Sequence, residues 1–146
     1  MQLNPYLCFE GRCGEAIEFY KQAVGAEVVF SMPFSEVPQT AQDEQQGCGA
    51  NMKPDSICHA EVKIAGATIF MSDGMCSGQA EFKGITLSLS VESDEQVKER
   101  FAALSEGGTV HMAPHPTFFA SLWGVCADRF GVGWMVMSPA PVPAEY

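Results

Sequence analysis

Positive charge is scarce in this chain: 8 lysines and arginines stand against 18 aspartates and glutamates, a formal charge of −10 over 146 residues. An acidic surface of this kind repels phosphate backbones and anionic headgroups, so neither nucleic acid nor a membrane surface is an expected partner. Long apolar runs are missing too. None reaches the roughly 18 residues of a spanning helix, and the first residues, MQLNPYLCF, show no basic flank ahead of an apolar stretch, so a cytoplasmic protein is expected. The six cysteines (Cys8, Cys13, Cys48, Cys58, Cys76 and Cys126) include no CxxC pair and have no secretory context. Reduced thiols are therefore expected in place of a zinc clasp or a disulfide framework. Also lacking is a glycine-rich turn that follows a strand, opens a helix and has an acidic residue beyond it, the arrangement a nucleotide-like cofactor would use. No cofactor is expected.

What the chain does have is a repeat. Leu7 and Phe9 alternate in YLCFE as Leu87 and Leu89 do in ITLSLS, and Ile17 and Val24 on the first helical pattern return as Val97 and Leu104. A duplicated unit that cannot bury its apolar face alone packs on its twin, and the seam between twins is a natural ligand cavity. With 47% hydrophobic residues the chain is long enough for one sizeable core. The expected organisation is one domain over residues 1–146, with a first module over about 1–76, a second over about 83–138 and a proline-rich tail over 139–146.

Each module reads strand, helix, strand, strand, strand. PYLCFE alternates as a strand, and Ala16, Ile17, Tyr20, Ala23 and Val24 define one face of a helix from about Cys13 to Val24 that Gly25 ends. AEVVFSM is a second strand. Residues 33–56 then turn polar and proline-rich, the pattern of a long lid, binding loop, subunit contact or surface loop. HAEVKI and ATIFMS form a hairpin around Ala65 and Gly66. In the second module ITLSLSV is a strand, and Ser93 with Gln96 makes a capping box for a helix reaching about Glu106. TVHMA is a short strand that leaves His111 and His115 in a loop-like stretch, and FFASLWGVCA and VGWMVMS close a hairpin around DRFG. The helix between the first two strands of each module lets them run parallel, and the class is α+β.

NPYLCFEGRCGEAIEFYKQAVGAEVVF, HAEVKIAGATIFMSDGM and DRFGVGWMV together resemble the PhnB-like (YjdN-type) branch of the vicinal oxygen chelate, or glyoxalase, superfamily. That branch is also labelled 3-demethylubiquinone-9 3-methyltransferase-like. The resemblance implies paired βαβββ modules curled into an eight-stranded cup, and a homodimer. Where such relatives commonly carry Trp before a small residue and then DPFG, this chain has Phe119 with Ala120 and DRFG. Metal-dependent members hold a divalent ion with His and Glu from the first and last strand of each module. The matching positions here fall near Asn4, Phe70, Gly84 and Met135, none of which offers an imidazole or carboxylate. No metal is expected at that place.

Period two along HAEVKIA sets Ala60, Val62 and Ile64 toward the helix and His59, Glu61 and Lys63 on the other face. If that face lines the cup, His59 and Glu61 can bond a ligand or exchange a proton, and they are the catalytic candidates; an exposed edge or subunit contact is the competing role. The remaining expected lining is Tyr6, Cys8, Phe70, Thr86, Ser88, Trp123 and Met135, suited to a small, partly apolar molecule. Asp73 reads as a turn former or a ligand acceptor. Beside this binding protein stand two alternatives: a metal-dependent lyase, isomerase or dioxygenase with non-standard ligands such as His59, Glu61 and Glu10, and a dimeric interaction module without ligand.

Overall fold

The computed structural model describes residues 1–38 and 53–141. The chain forms two compact units, Met1–Ala80 and Glu81–Tyr146. Unit 1 contains β1 (Tyr6–Cys8), α1 (Cys13–Val24), β2 (Glu27–Pro33), a single 3-10 turn (Phe34–Glu36), β3 (Ile57–Ile64) and β4 (Ala67–Ser72). Unit 2 contains β5 (Thr86–Ser90), α2 (Asp94–Ser105), β6 (Thr109–His115), β7 (Ala120–Ala127) and β8 (Gly133–Pro139). The duplicated βαβββ order is therefore present, and the fold is α+β. Part of the polar 33–56 stretch and the last five residues of the tail lie outside the described residues.

Each unit builds one four-stranded sheet, ordered β1-β4-β3-β2 and β5-β8-β7-β6. The first strand of each pairs in parallel with the last, β1 with β4 and β5 with β8, and the other pairings are antiparallel. The first two strands of a module thus run the same way at opposite edges of their sheet, with the helix crossing between them. Such a crossover needs a long connection, whereas the antiparallel pairs need only tight turns. The β3–β4 turn is of that kind: Ala65 and Gly66 both hold positive φ, 50° and 81°, the geometry that matches strand twist.

Both helices form where the side-chain pattern and the caps agree. In α1, Cys13, Ala16, Ile17, Tyr20 and Ala23 are buried, and Gly25 at φ 66° closes the helix with its amide on the Tyr20 carbonyl. In α2, Val97, Phe101 and Leu104 are buried, and the Ser93 hydroxyl accepts the Gln96 amide. The reciprocal bond of the expected capping box goes one residue further back: Gln96 Oε1 accepts from the Glu92 amide at 2.9 Å.

Each sheet buries one face. Leu7, Ala60, Val62, Ile64, Ile69 and Met71 are at most 5% exposed in unit 1, as are Ala120, Cys126, Trp134 and Val136 in unit 2. The β6 strand corrects the sequence expectation, because it runs on through Pro114 to His115 and so takes in both His111 and His115. Its register slips between Val110 and Met112 and again between Met112 and His115, and nearly all of it is exposed. A bulged edge strand with neither face buried has no alternation to display.

Candidate functional site

The open face of the unit 1 sheet gathers the polar and aromatic candidates. Register places Tyr6 beside Phe70, Phe70 beside Glu61 and Glu61 beside Phe30, one row across all four strands. His59 pairs with Met32 two residues along β3, and Cys8 with Ser72 on the other side. All of these have the parity opposite to the buried Leu7, Ala60, Val62 and Met71.

Tyr6 and His59 meet directly. The Tyr6 hydroxyl lies 3.1 Å from His59 Nδ1, and His59 Nε2 lies 3.8 Å from Glu61 Oε1. Aromatic rings enclose the imidazole: Phe70 at 5.1 Å, Tyr6 at 5.5 Å and Phe30 at 6.4 Å between centroids, with Phe70 edge-on to both His59 and Tyr6. Burial raises the Tyr6 phenol above its usual pKa, partly offset by a bond from Ser72, so the hydroxyl stays protonated through the physiological range. Tyr6 and Phe30 remain 48% and 43% exposed, which leaves the cluster open to a small molecule. Phe30 was not among the expected residues; the bulge between Val28 and Phe30 breaks the alternation that would have shown it.

The unit 2 candidates lie on the open face of their own sheet. Ser88, Met135, Val125 and Met112 form one row, and Ser90, Met137, Trp123 and His115 the next. Thr86 stands at the start of β5 and is exposed. Trp123 stacks edge-on with His115 at 5.7 Å and with Phe119 at 5.6 Å. This face is soft and largely apolar. Among the described residues no carboxylate pairs with His115 as Glu61 does with His59; its Nδ1 lies 2.9 Å from the Ala113 carbonyl oxygen.

Two other expectations resolve into structure. Asp73 is 4% exposed, and its carboxylate accepts the amides of Cys13 at 2.7 Å and Ile57 at 2.6 Å, fixing the start of α1 to the start of β3. Glu10 spends Oε2 on the amides of Met75 and Ser77. Burial opposes its charge, but those amides and the Ser77 hydroxyl outweigh it and hold its pKa below the usual range. Among the described residues no three His, Cys, Asp or Glu side chains form a group that could hold a metal ion. A polar cleft of about 250 Å³ at the start of α1, lined by Arg12, Glu15, Lys53, Asp55 and Asp73, is built from groups largely paired already: Asp73 with two amides and Arg12 with Glu15 at 2.9 Å.

The family model described as 3-demethylubiquinone-9 3-methyltransferase matches residues 1–137. The protein YjdN of Escherichia coli K12 is 44% identical over 138 residues, covering 93% of this chain and 94% of that protein. The chain belongs to this family, in its PhnB/YjdN-type branch. Among solved structures, PA1353 of Pseudomonas aeruginosa is 34% identical with a TM-score of 0.79, covering 95% of this chain and 98% of its own. The PhnB protein of Bacillus cereus, at 22% identity, and the fosfomycin resistance protein FosX of Listeria monocytogenes, at 14%, share the fold with TM-scores of 0.76 and 0.61. They cover 94% and 96% of this chain, and 99% and 93% of their own. Among the described residues no helix is long and apolar enough to cross a membrane.

Proposed function

We propose that this PhnB-like protein binds a small, partly apolar metabolite on the open sheet faces, without a metal centre, and that Tyr6, His59 and Glu61 supply its polar contacts. The observation that carries the reading is the Tyr6–His59 hydrogen bond inside a ring of Phe30, Phe70 and Tyr6 itself. An exposed structural edge has no need of a phenol and an imidazole joined within an open aromatic cluster, whereas a ligand site is a mostly apolar surface with a few placed polar groups. Cys8 lies on the same face, and the open face of the unit 2 sheet, with Thr86, Ser88, Trp123 and Met135, is of similar mixed character in its own right. The methyl transfer in the family description has no nucleotide-type cradle at the turn from β1 to α1, which carries Glu10, Gly11 and Arg12 where a glycine-rich loop would stand.

Thermal-shift screening against a panel of metabolites tests the reading. A ligand raises Tm with concentration by mass action, and Tyr6→Ala is expected to lower its affinity about tenfold while leaving the fold intact by circular dichroism. A panel that stabilises wild type and Tyr6→Ala equally overturns the assignment of the site.

The same reading takes the chain as a homodimer in the cytoplasm. Support for pairing comes from the edge strands β2 and β6, which expose Val28, Val29, Val110 and Met112.

A further inference from the structure

The direction of the hydrogen bond between Tyr6 and His59 depends on which imidazole nitrogen carries the proton. Glu61 Oε1 stands 3.8 Å from Nε2, beyond hydrogen-bond reach, and its negative charge favours a proton on that nitrogen. With the proton on Nε2, Nδ1 presents a bare lone pair to which the Tyr6 hydroxyl donates across the 3.1 Å gap. The Tyr6 oxygen has two lone pairs, so beside the Ser72 hydroxyl it can accept from a ligand, on a side chain that is 48% exposed. A chain of three groups thus runs from the open surface to a carboxylate: phenol, imidazole, Glu61. The other charged groups of this face, Lys63 on β3 and Glu27 opposite it on β2, stand together further along the strands. Cys8, beyond Tyr6 on β1, receives the Ser72 hydroxyl at 3.9 Å.

We infer that Tyr6, His59 and Glu61 form a proton relay that deprotonates a bound molecule carrying an acidic O–H, N–H or S–H group beside an apolar or aromatic body. This rests on the reading of the same face as a ligand site. In the step, the ligand X–H bond breaks, its electron pair stays on X, and its proton forms the O–H of Tyr6. At the same time the original Tyr6 proton forms the Nδ1–H bond of His59. The imidazolium so made lies against the Glu61 carboxylate, and the ligand is held as its anion. The proton count closes with no further reactant. Tyr6 touches the ligand; His59 and Glu61 act through it.

Two measurements on the full chain test this. In nitrogen-15 spectra of the ligand-free protein, with His59 assigned against His59→Gln, Nδ1 is expected to be unprotonated and Nε2 protonated, and Glu61→Gln is expected to reduce that preference. A His59 protonated on Nδ1 alone overturns the relay whatever the face binds. The second probe is p-nitrophenol at a pH where the free phenol is mostly neutral. Binding is expected to bring up its phenolate absorbance, which falls about tenfold in Tyr6→Phe while the probe still perturbs Phe30 and Phe70 resonances. A probe that binds this face but stays neutral overturns the relay and leaves the binding site standing. A probe that leaves the face unperturbed overturns both.

Discussion

Single buried carboxylates do much of the joining in this molecule. Asp128 is 3% exposed; Oδ1 accepts the amides of Phe130 and Val132 at 2.9 and 3.1 Å, and Oδ2 accepts Trp134 Nε1 at 2.9 Å. The Asp of DRFGVGW therefore shapes the β7–β8 turn and seats the largest core side chain. Asp128→Ala leaves three buried donors unpaired and is expected to lower the unfolding free energy by about 3–5 kcal/mol in urea denaturation. A loss under 1 kcal/mol would show that water replaces the carboxylate. The role of Asp73 was half legible, since a turn-forming aspartate was expected but not its grip on two distant amides. Burial is what separates the two uses, and burial is not written in the local pattern. Cys13 and Cys126 make the same point: burial and nearby Asp73 or Asp128 raise both thiols, Cys126 to about 11, so they serve as packing.

Elements were legible wherever one face is buried. Periodicity and caps located α1 and α2 closely, and parity along β3 put His59 and Glu61 on a common open face. The β6 strand was cut short because its bulges and Pro114 erase the period. The Tyr6–His59 bond was out of reach for a different reason: it depends on β4 lying between β1 and β3, a matter of strand order that no local pattern encodes. The contact of α2 with its sheet rests on a missing side chain. A Cβ at Gly124 of β7 would stand 2.8 Å from the Phe101 ring and 3.1 Å from Pro114. Gly124→Ala is thus expected to push Phe101 out of place and to cost about 1–3 kcal/mol, read as a fall in the urea midpoint with little change in slope. An unchanged midpoint would mean the helix rides freely over the strand.

For the whole molecule, the family and the duplicated architecture were legible because motifs along nearly the entire chain carry them, whereas the ligand was not, because the open faces are free of packing constraints. Association belongs to this scale. Sedimentation of the wild type is expected to give a dimer, and Val29→Lys with Val110→Lys to shift it toward the 15.8 kDa monomer. A wild-type monomer at micromolar concentration overturns the pairing. The two units also anchor their helices by opposite chemistry. In unit 1 the carboxylate at the end of the last strand, Asp73, receives the first amide of α1, while in unit 2 the helix itself carries the acid, Asp94, which takes the hydroxyls of Ser138 at 2.6 Å and Ser121 at 3.0 Å. Recombining one copy with the other would therefore set Asp73 against Asp94 at one joint and leave Ser121 and Ser138 without Asp94 at the second, so the two halves of this gene product are no longer interchangeable parts.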